Sequence, residues 1–191
     1  MPNAQEPESY ALIPHPASQT GAVRALDVTV GRDAGAIRTP DELVLTYRLS
    51  GDIAQLRMPE PRPPVRADGL WRHTCFEAFL VRPGADEYWE YNFSPSGAWA
   101  AYHFARYREG MAPLLKGAPP QIWLQASADS VTLTARVDLA WLTRAEAELP
   151  LKLGLAAVID DKAHVLSYWA LAHRAEKPDF HHADSFVAGL D

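Results

Sequence analysis

Hydrophobic residues in this chain recur mostly at every second position. That spacing belongs to strands with one buried face, because successive side chains of an extended backbone point to opposite sides. The alternation predicts strands over Val23–Val30, Leu43–Leu49, Trp99–Tyr107, Gln121–Ala126, Ser130–Val137, Leu151–Ile159 and Val165–Ala172, with a shorter one over Ile53–Met58. Turn chemistry separates them, as in Gly31-Arg32-Asp33-Ala34-Gly35, Ser50-Gly51-Asp52 and Ser127-Ala128-Asp129. The run Pro59-Glu60-Pro61-Arg62-Pro63-Pro64 is a loop, since proline has no amide to donate and restrains the residue before it. One helical fragment is predicted, Asp138 to Glu148, stopped by Pro150. Residues 1–20, with four prolines, read as an extended arm, and 21–191 as a single domain. Around ten short strands with little helix predict an all-β fold, a two-layer antiparallel β-sandwich.

Two further strands carry the pattern that bears on function. Leu70–Leu80 puts Phe76, Ala78 and Leu80 on one face and Cys75, Glu77 and Phe79 on the other. After the turn Arg82-Pro83-Gly84-Ala85-Asp86, the run Glu87–Ser94 puts Trp89, Tyr91 and Phe93 on one face and Tyr88, Glu90, Asn92 and Ser94 on the other. So short a turn makes the two strands antiparallel neighbours. One face is then core, and Glu77 and Glu90 share the opposite surface. The proline loop before Trp71 is placed to be a wall or lid beside it, or a stiff connector.

Composition narrows the partners. With 48% hydrophobic and 22% charged residues among 191, the chain is globular rather than disordered. Its 18 basic and 24 acidic residues give a formal charge of −6, and no basic stripe is present, which argues against a nucleic-acid partner. No apolar run reaches membrane-spanning length, so no membrane partner is expected. Met1 to Gln19 resembles no secretion signal, and a cytoplasmic location is the expectation. Cys75 is the single cysteine, which rules out an internal disulfide and leaves a Cys-based zinc site without its other thiolates.

Phosphate loops, nucleophile elbows and Walker sequences are absent. Three constellations remain. The first is Glu77, Glu90 and Asn92, with Arg72, His73 and Lys177 as counter-charges. Such a pair of carboxylates serves either to accept hydrogen bonds from sugar hydroxyls or to act as acid and base on a glycoside. On a solvated strand face the same residues are simply surface polarity balanced by arginines. The second is His173 with His181, His182 and Asp179, a weak metal-ligand signal because neighbours in an extended chain point apart. The third is the aromatic set, mostly core, from which Trp71 and Trp169, with Tyr168, are chosen as surfaces on which a sugar ring would stack.

The runs Leu70-Trp71-Arg72-His73-Thr74-Cys75-Phe76-Glu77-Ala78-Phe79, Tyr88–Trp99 and Ser167–His173, with Lys177-Pro178-Asp179-Phe180-His181, resemble bacterial DOMON-like proteins, relatives of the family 9 carbohydrate-binding modules. The resemblance extends from about Val23 to the end. It implies a non-catalytic β-sandwich that binds a small polar ligand, with a saccharide as the expected class. Glu77, Glu90 and Asn92 would be ligand-facing polar groups, with Trp71 and Trp169 as the aromatic clamp. Haem, found elsewhere in that superfamily, takes a Met and a His as axial ligands. Neither Met58 nor Met111 is assigned to that role, and no cofactor is expected, with haem or a metal at His173 and His181 left open. The expected function is therefore ligand binding, with a glycoside hydrolase working through Glu77 and Glu90, or a haem-binding module, as alternatives.

Overall fold

The computed structural model describes residues 7–32, 42–142 and 150–190. The alternating segments form strands β1 (Glu8–Pro14), β2 (Val23–Arg32), β3 (Glu42–Gly51), β4 (Cys75–Val81), β5 (Tyr88–Phe93), β6 (Trp99–Phe104), β7 (Ala112–Pro113), β8 (Gln121–Ala126), β9 (Ser130–Asp138), β10 (Leu151–Asp160), β11 (Leu166–Ala170) and β12 (Ala188–Leu190). Among the described residues, every pairing between two of these strands is antiparallel. One sheet runs β1-β2-β3-β9-β8 and the other β7-β6-β5-β4-β10-β11, with β12 on β10. The fold is the expected all-β, two-layer sandwich.

Both sheets turn an apolar face inward. Leu26 and Val28 of β2, Leu45, Tyr47 and Leu49 of β3 and Leu133 of β9 meet Phe76 and Leu80 of β4, Tyr91 and Phe93 of β5 and Leu153 and Leu155 of β10 in one core. Tyr47, fully buried there, donates its hydroxyl hydrogen to the Glu77 carbonyl at 2.8 Å, so its polar atom is satisfied by the facing sheet. Each large side chain so buried contributes about 1.5–3 kcal/mol.

Several segments differ from expectation for identifiable reasons. Glu8–Leu12, inside the expected arm, pairs with β2, and Ile13–Pro14 pairs with β11, so β1 links the two sheets. Pro14 can stand only at its end because it lacks an amide. Ile53–Gln55 is a 3-10 turn rather than a strand, as is Leu70–Arg72, so the first acidic strand begins only at Cys75. Gly69, with φ of 76°, turns the chain into the second of these. The strand beginning at Trp99 ends at Phe104. The helical fragment is helical over 140–142, and its remainder, 143–148, lies outside the described residues.

The outer faces of the sheets differ. In β3 and β9 the outward positions are partly or fully exposed, whereas β5 is buried at all six positions and β4 at six of seven. A second apolar cluster, with Phe79, Tyr88, Tyr102, Phe104, Val158, Phe180 and Phe186, covers that outer face. The cover is the C-terminal segment after β11 together with the turn at Trp71. Gly154 makes room for it: a β-carbon there would lie 2.3 Å from Cδ1 of Phe186, whose ring stacks on Phe79 at 5.8 Å.

Candidate functional site

Beside this cluster, on the outer face of the second sheet, lies a cavity of about 360 Å³. Its floor comes from Glu77 on β4, Glu90 on β5 and Val158 on β10; Trp71, Phe104, Tyr168 and Phe180 form aromatic walls; and Arg108, Met111, Pro178 and His181 complete it. The register explains the floor. Glu77 stands opposite Asn92 and Glu90 opposite Phe79, so the carboxylates are diagonal neighbours on one sheet face, as strand alternation requires.

Both carboxylates are nearly withdrawn from water, Glu77 at 3% and Glu90 at 4% exposure. Asn92 donates from Nδ2 to Glu90 Oε1 at 2.6 Å, and the Cys75 thiol donates to Asn92 Oδ1 at 3.4 Å. Oε1 of Glu77 is buried with no hydrogen-bond partner among the described residues. Burial, followed by the charge of Glu90, pushes the Glu77 carboxyl well above the ordinary carboxylate range, with Arg108 acting the other way. Burial likewise lifts Glu90 to about 7, opposed by the Asn92 hydrogen bond and by Arg108. The pair therefore holds a proton at pH values where ordinary glutamates are ionised.

The rim is a hydrogen-bonded relay. Arg108, in a left-handed conformation with φ of 54°, donates its backbone N–H to the Tyr88 hydroxyl at 3.1 Å. That hydroxyl lies 2.8 Å from Nδ1 of His181. Burial, then the Arg108 charge, lowers His181 to about 4, so its ring is neutral at pH 7. The Tyr88 hydroxyl then donates to Nδ1, which leaves Nε2–H facing Glu90 Oε2 at 3.8 Å, beyond hydrogen-bond reach. Arg108 itself pairs with Asp179 at 2.7 Å. Burial works against the Asp179 charge, yet the Tyr107 hydroxyl and Arg108 together hold its carboxyl below the usual value.

Of the residues chosen from sequence, Trp71, Glu77 and Glu90 line the cavity, and Asn92 stands beside Glu90 as its hydrogen-bond donor. Four do not come to it. Arg72 and His73 are exposed, and His73 lies 3.2 Å from Asp160 instead. Lys177 is exposed next to the lining residue Pro178. Trp169 is 3% exposed in the core between the sheets, its Nε1–H donating to the Ser167 hydroxyl at 3.0 Å. Both aromatics of that pair are expected at the ligand, and alternation along β11 allows only one of them on the outer face: Tyr168 is the one on the cavity side. The proline loop does not line the cavity either. Its Arg62 amide donates to Ser96 at 2.8 Å, fastening it to the turn before β6.

The histidines separate. His173 donates from Nε2 to the Ile13 carbonyl at 2.9 Å and meets the His15 ring edge-on, tying the C-terminal segment to β1. Nδ1 of His182 accepts the Asp184 amide at the start of a 3-10 turn, Ala183–Ser185. Only His181 reaches the cavity, and among the described residues no three His, Cys, Asp or Glu are grouped to hold a metal ion. Arg108, Phe104, Phe180 and Met111 had no local sequence signal. They arrive from a turn, a neighbouring strand and a distant segment.

No protein-family model matches this sequence, and no curated protein does. Among solved structures, the chain is similar to a candidate carbohydrate-binding protein from Bacteroides uniformis, with a TM-score of 0.65 and 14% identity over 94% of this chain and 84% of that one. It also aligns with a family 9 carbohydrate-binding module from Caldicellulosiruptor kristjanssonii in complex with cellotriose, with a TM-score of 0.48 and 10% identity over 88% of this chain and 76% of that one. The likeness to the first is one of fold: the two chains share a β-sandwich.

Proposed function

We propose that this protein binds a small saccharide, without transforming it, in the cavity over β4 and β5. The observation that carries the reading is the combination inside one cavity of aromatic walls, Trp71, Phe104, Tyr168 and Phe180, with the carboxylates Glu77 and Glu90 on its floor. Sugars present apolar C–H faces to aromatic rings and hydroxyl hydrogens to acceptors, and both surfaces are here. A volume of about 360 Å³ lies at the small end of ligand pockets and fits a mono- or disaccharide. The fold shared with the Bacteroides protein supports the same reading, as does the resemblance to DOMON-like proteins at Leu70–Phe79 and Tyr88–Trp99.

Two other uses of the cavity fit its residues less well. Acid and base groups for glycoside cleavage flank the bond they act on, whereas Glu77 and Glu90 rise from one sheet face on adjoining strands and meet a ligand from the same side. A haem would need His181 and Met111 as free axial donors. The Nδ1 of His181 is taken by Tyr88, its Nε2 faces a carboxylate, and Met111 is 54% exposed. The donor set therefore does not suit haem.

Calorimetric titration with a panel of mono- and disaccharides tests the proposal. Binding in the micromolar to millimolar range is expected for at least one sugar. Trp71→Ala weakens it about tenfold, while Trp123→Ala, at an aromatic 47% exposed on the other sheet, leaves it unchanged. Equal effects of the two substitutions, or release of product from a glycoside, would overturn it.

A further inference from the structure

The charges around the cavity do not balance. Arg108 is committed to Asp179 at 2.7 Å, and the His181 ring is neutral with its Nδ1 held by Tyr88. The other titratable groups packed about the pair bring no positive charge. Cys75 donates to Asn92, Tyr102 donates to Asp68 at 2.6 Å, and Tyr47 meets only the backbone of Glu77. Two buried carboxylates therefore face the cavity, with the paired Arg108 as the one cationic side chain among the described residues of its lining. One of them, Glu77, has an oxygen with no hydrogen-bond partner among the described residues. Burying a carboxylate without a counter-charge is costly. The aromatic walls are suited to supply the remaining contacts, since ring faces attract cations as well as C–H surfaces.

We propose that the ligand of this cavity is positively charged and, resting on the saccharide reading above, that it is an amino sugar whose ammonium group sits against Glu77 and Glu90 while its ring lies along the aromatic walls. A neutral sugar offers these carboxylates hydroxyl donors but supplies no charge to displace the proton they hold. An ammonium group does both. Before binding, the pair is relieved by holding a proton; on binding, the ammonium takes that proton's place and the proton passes to solvent. The ligand keeps its own proton throughout.

The test is calorimetry of the full chain with D-glucosamine, D-glucose, N-acetyl-D-glucosamine and cyclohexylamine at pH 7, in buffers of different ionisation enthalpy. Glucosamine is expected to bind at least about tenfold more tightly than either neutral sugar, with net proton release to the buffer. In Glu77→Gln and Glu90→Gln the ratio of glucosamine to glucose affinity falls below about threefold, whereas Glu87→Gln, at a carboxylate paired with His103 away from the cavity, keeps it. Equal or tighter binding of glucose, or proton uptake with glucosamine, overturns the cationic ligand and leaves the saccharide reading standing. Cyclohexylamine binding as tightly as glucosamine, with no neutral sugar bound, keeps the charge and overturns the saccharide. Binding of none of the four overturns both.

Discussion

The two sheets of this sandwich share one core and differ on their outer faces. In the sheet of β2, β3 and β9 the outward residues meet solvent, and Thr46 and Thr134 face each other across the strands with hydroxyls 3.2 Å apart. In the sheet of β4, β5 and β10 the outward residues are covered by the C-terminal segment and the Trp71 turn, and beside that cover lies the cavity. Acidic residues on an outer face are ordinary in the first case. In the second they are desolvated, and their proton affinity rises. Position on a strand does not make Glu77 and Glu90 unusual; what lies above them does.

Removing the cover should therefore cost far more than altering the open face. Phe79→Ala deletes the ring on which Phe186 stacks and is expected to cost about 3–5 kcal/mol, lowering Tm by on the order of 10 °C in a calorimetric scan. A loss under about 1 kcal/mol would mean the covered face contributes no more than the exposed one.

The pH dependence of stability follows next in size. Glu90 rises from its ordinary 4.5 to about 7, so between those values the unfolded chain gives up a proton that the folded chain keeps. Stability must fall as pH rises through that window, by about 3 kcal/mol for this group alone. The displacement of Glu77 adds in the same direction. Glu90→Gln is expected to flatten the curve and raise stability at pH 8 by about 1–3 kcal/mol, measured by urea denaturation across pH. An unchanged slope would show the two carboxylates to be as solvated as those of the open sheet.

Gly154→Ala puts a β-carbon where the Phe186 ring lies and is expected to destabilise by about 1–3 kcal/mol. Because the displaced segment carries Pro178, Phe180 and His181, ligand affinity should fall with it in the same titrations. The smallest effect belongs to the open face: Thr134→Ala should change stability by no more than about 0.5 kcal/mol.

Much of this was written locally. Alternation alone assigned Trp89, Tyr91 and Phe93 to the core and Tyr88, Glu90 and Asn92 to the other face, and the register then set Glu77 among them. Where the sequence misled, a local pattern had two readings. Trp71 and Arg72 precede an apolar run but lie in a 3-10 turn entered through Gly69, and Arg72 is exposed and outside the lining of the cavity whose carboxylates it was expected to balance. Tyr168 and Trp169 are adjacent aromatics, and nothing in their own chemistry says which one faces inward. One further signal is local. Gly154, inside the otherwise apolar stretch Leu153–Ile159, marks a place where another part of the chain comes close.

The sequence by itself determined the class of fold, the two faces of β4 and β5 and the shared side of Glu77 and Glu90, because these depend on a period of two residues and on short turns. Only the tertiary structure decided that this side would be roofed by Phe180, His181 and Phe186, and that Arg108 would be spent on Asp179. Those contacts join residues about 70 to 110 positions apart in the chain, beyond the reach of any local periodicity, and they turn two ordinary glutamates into a desolvated pair.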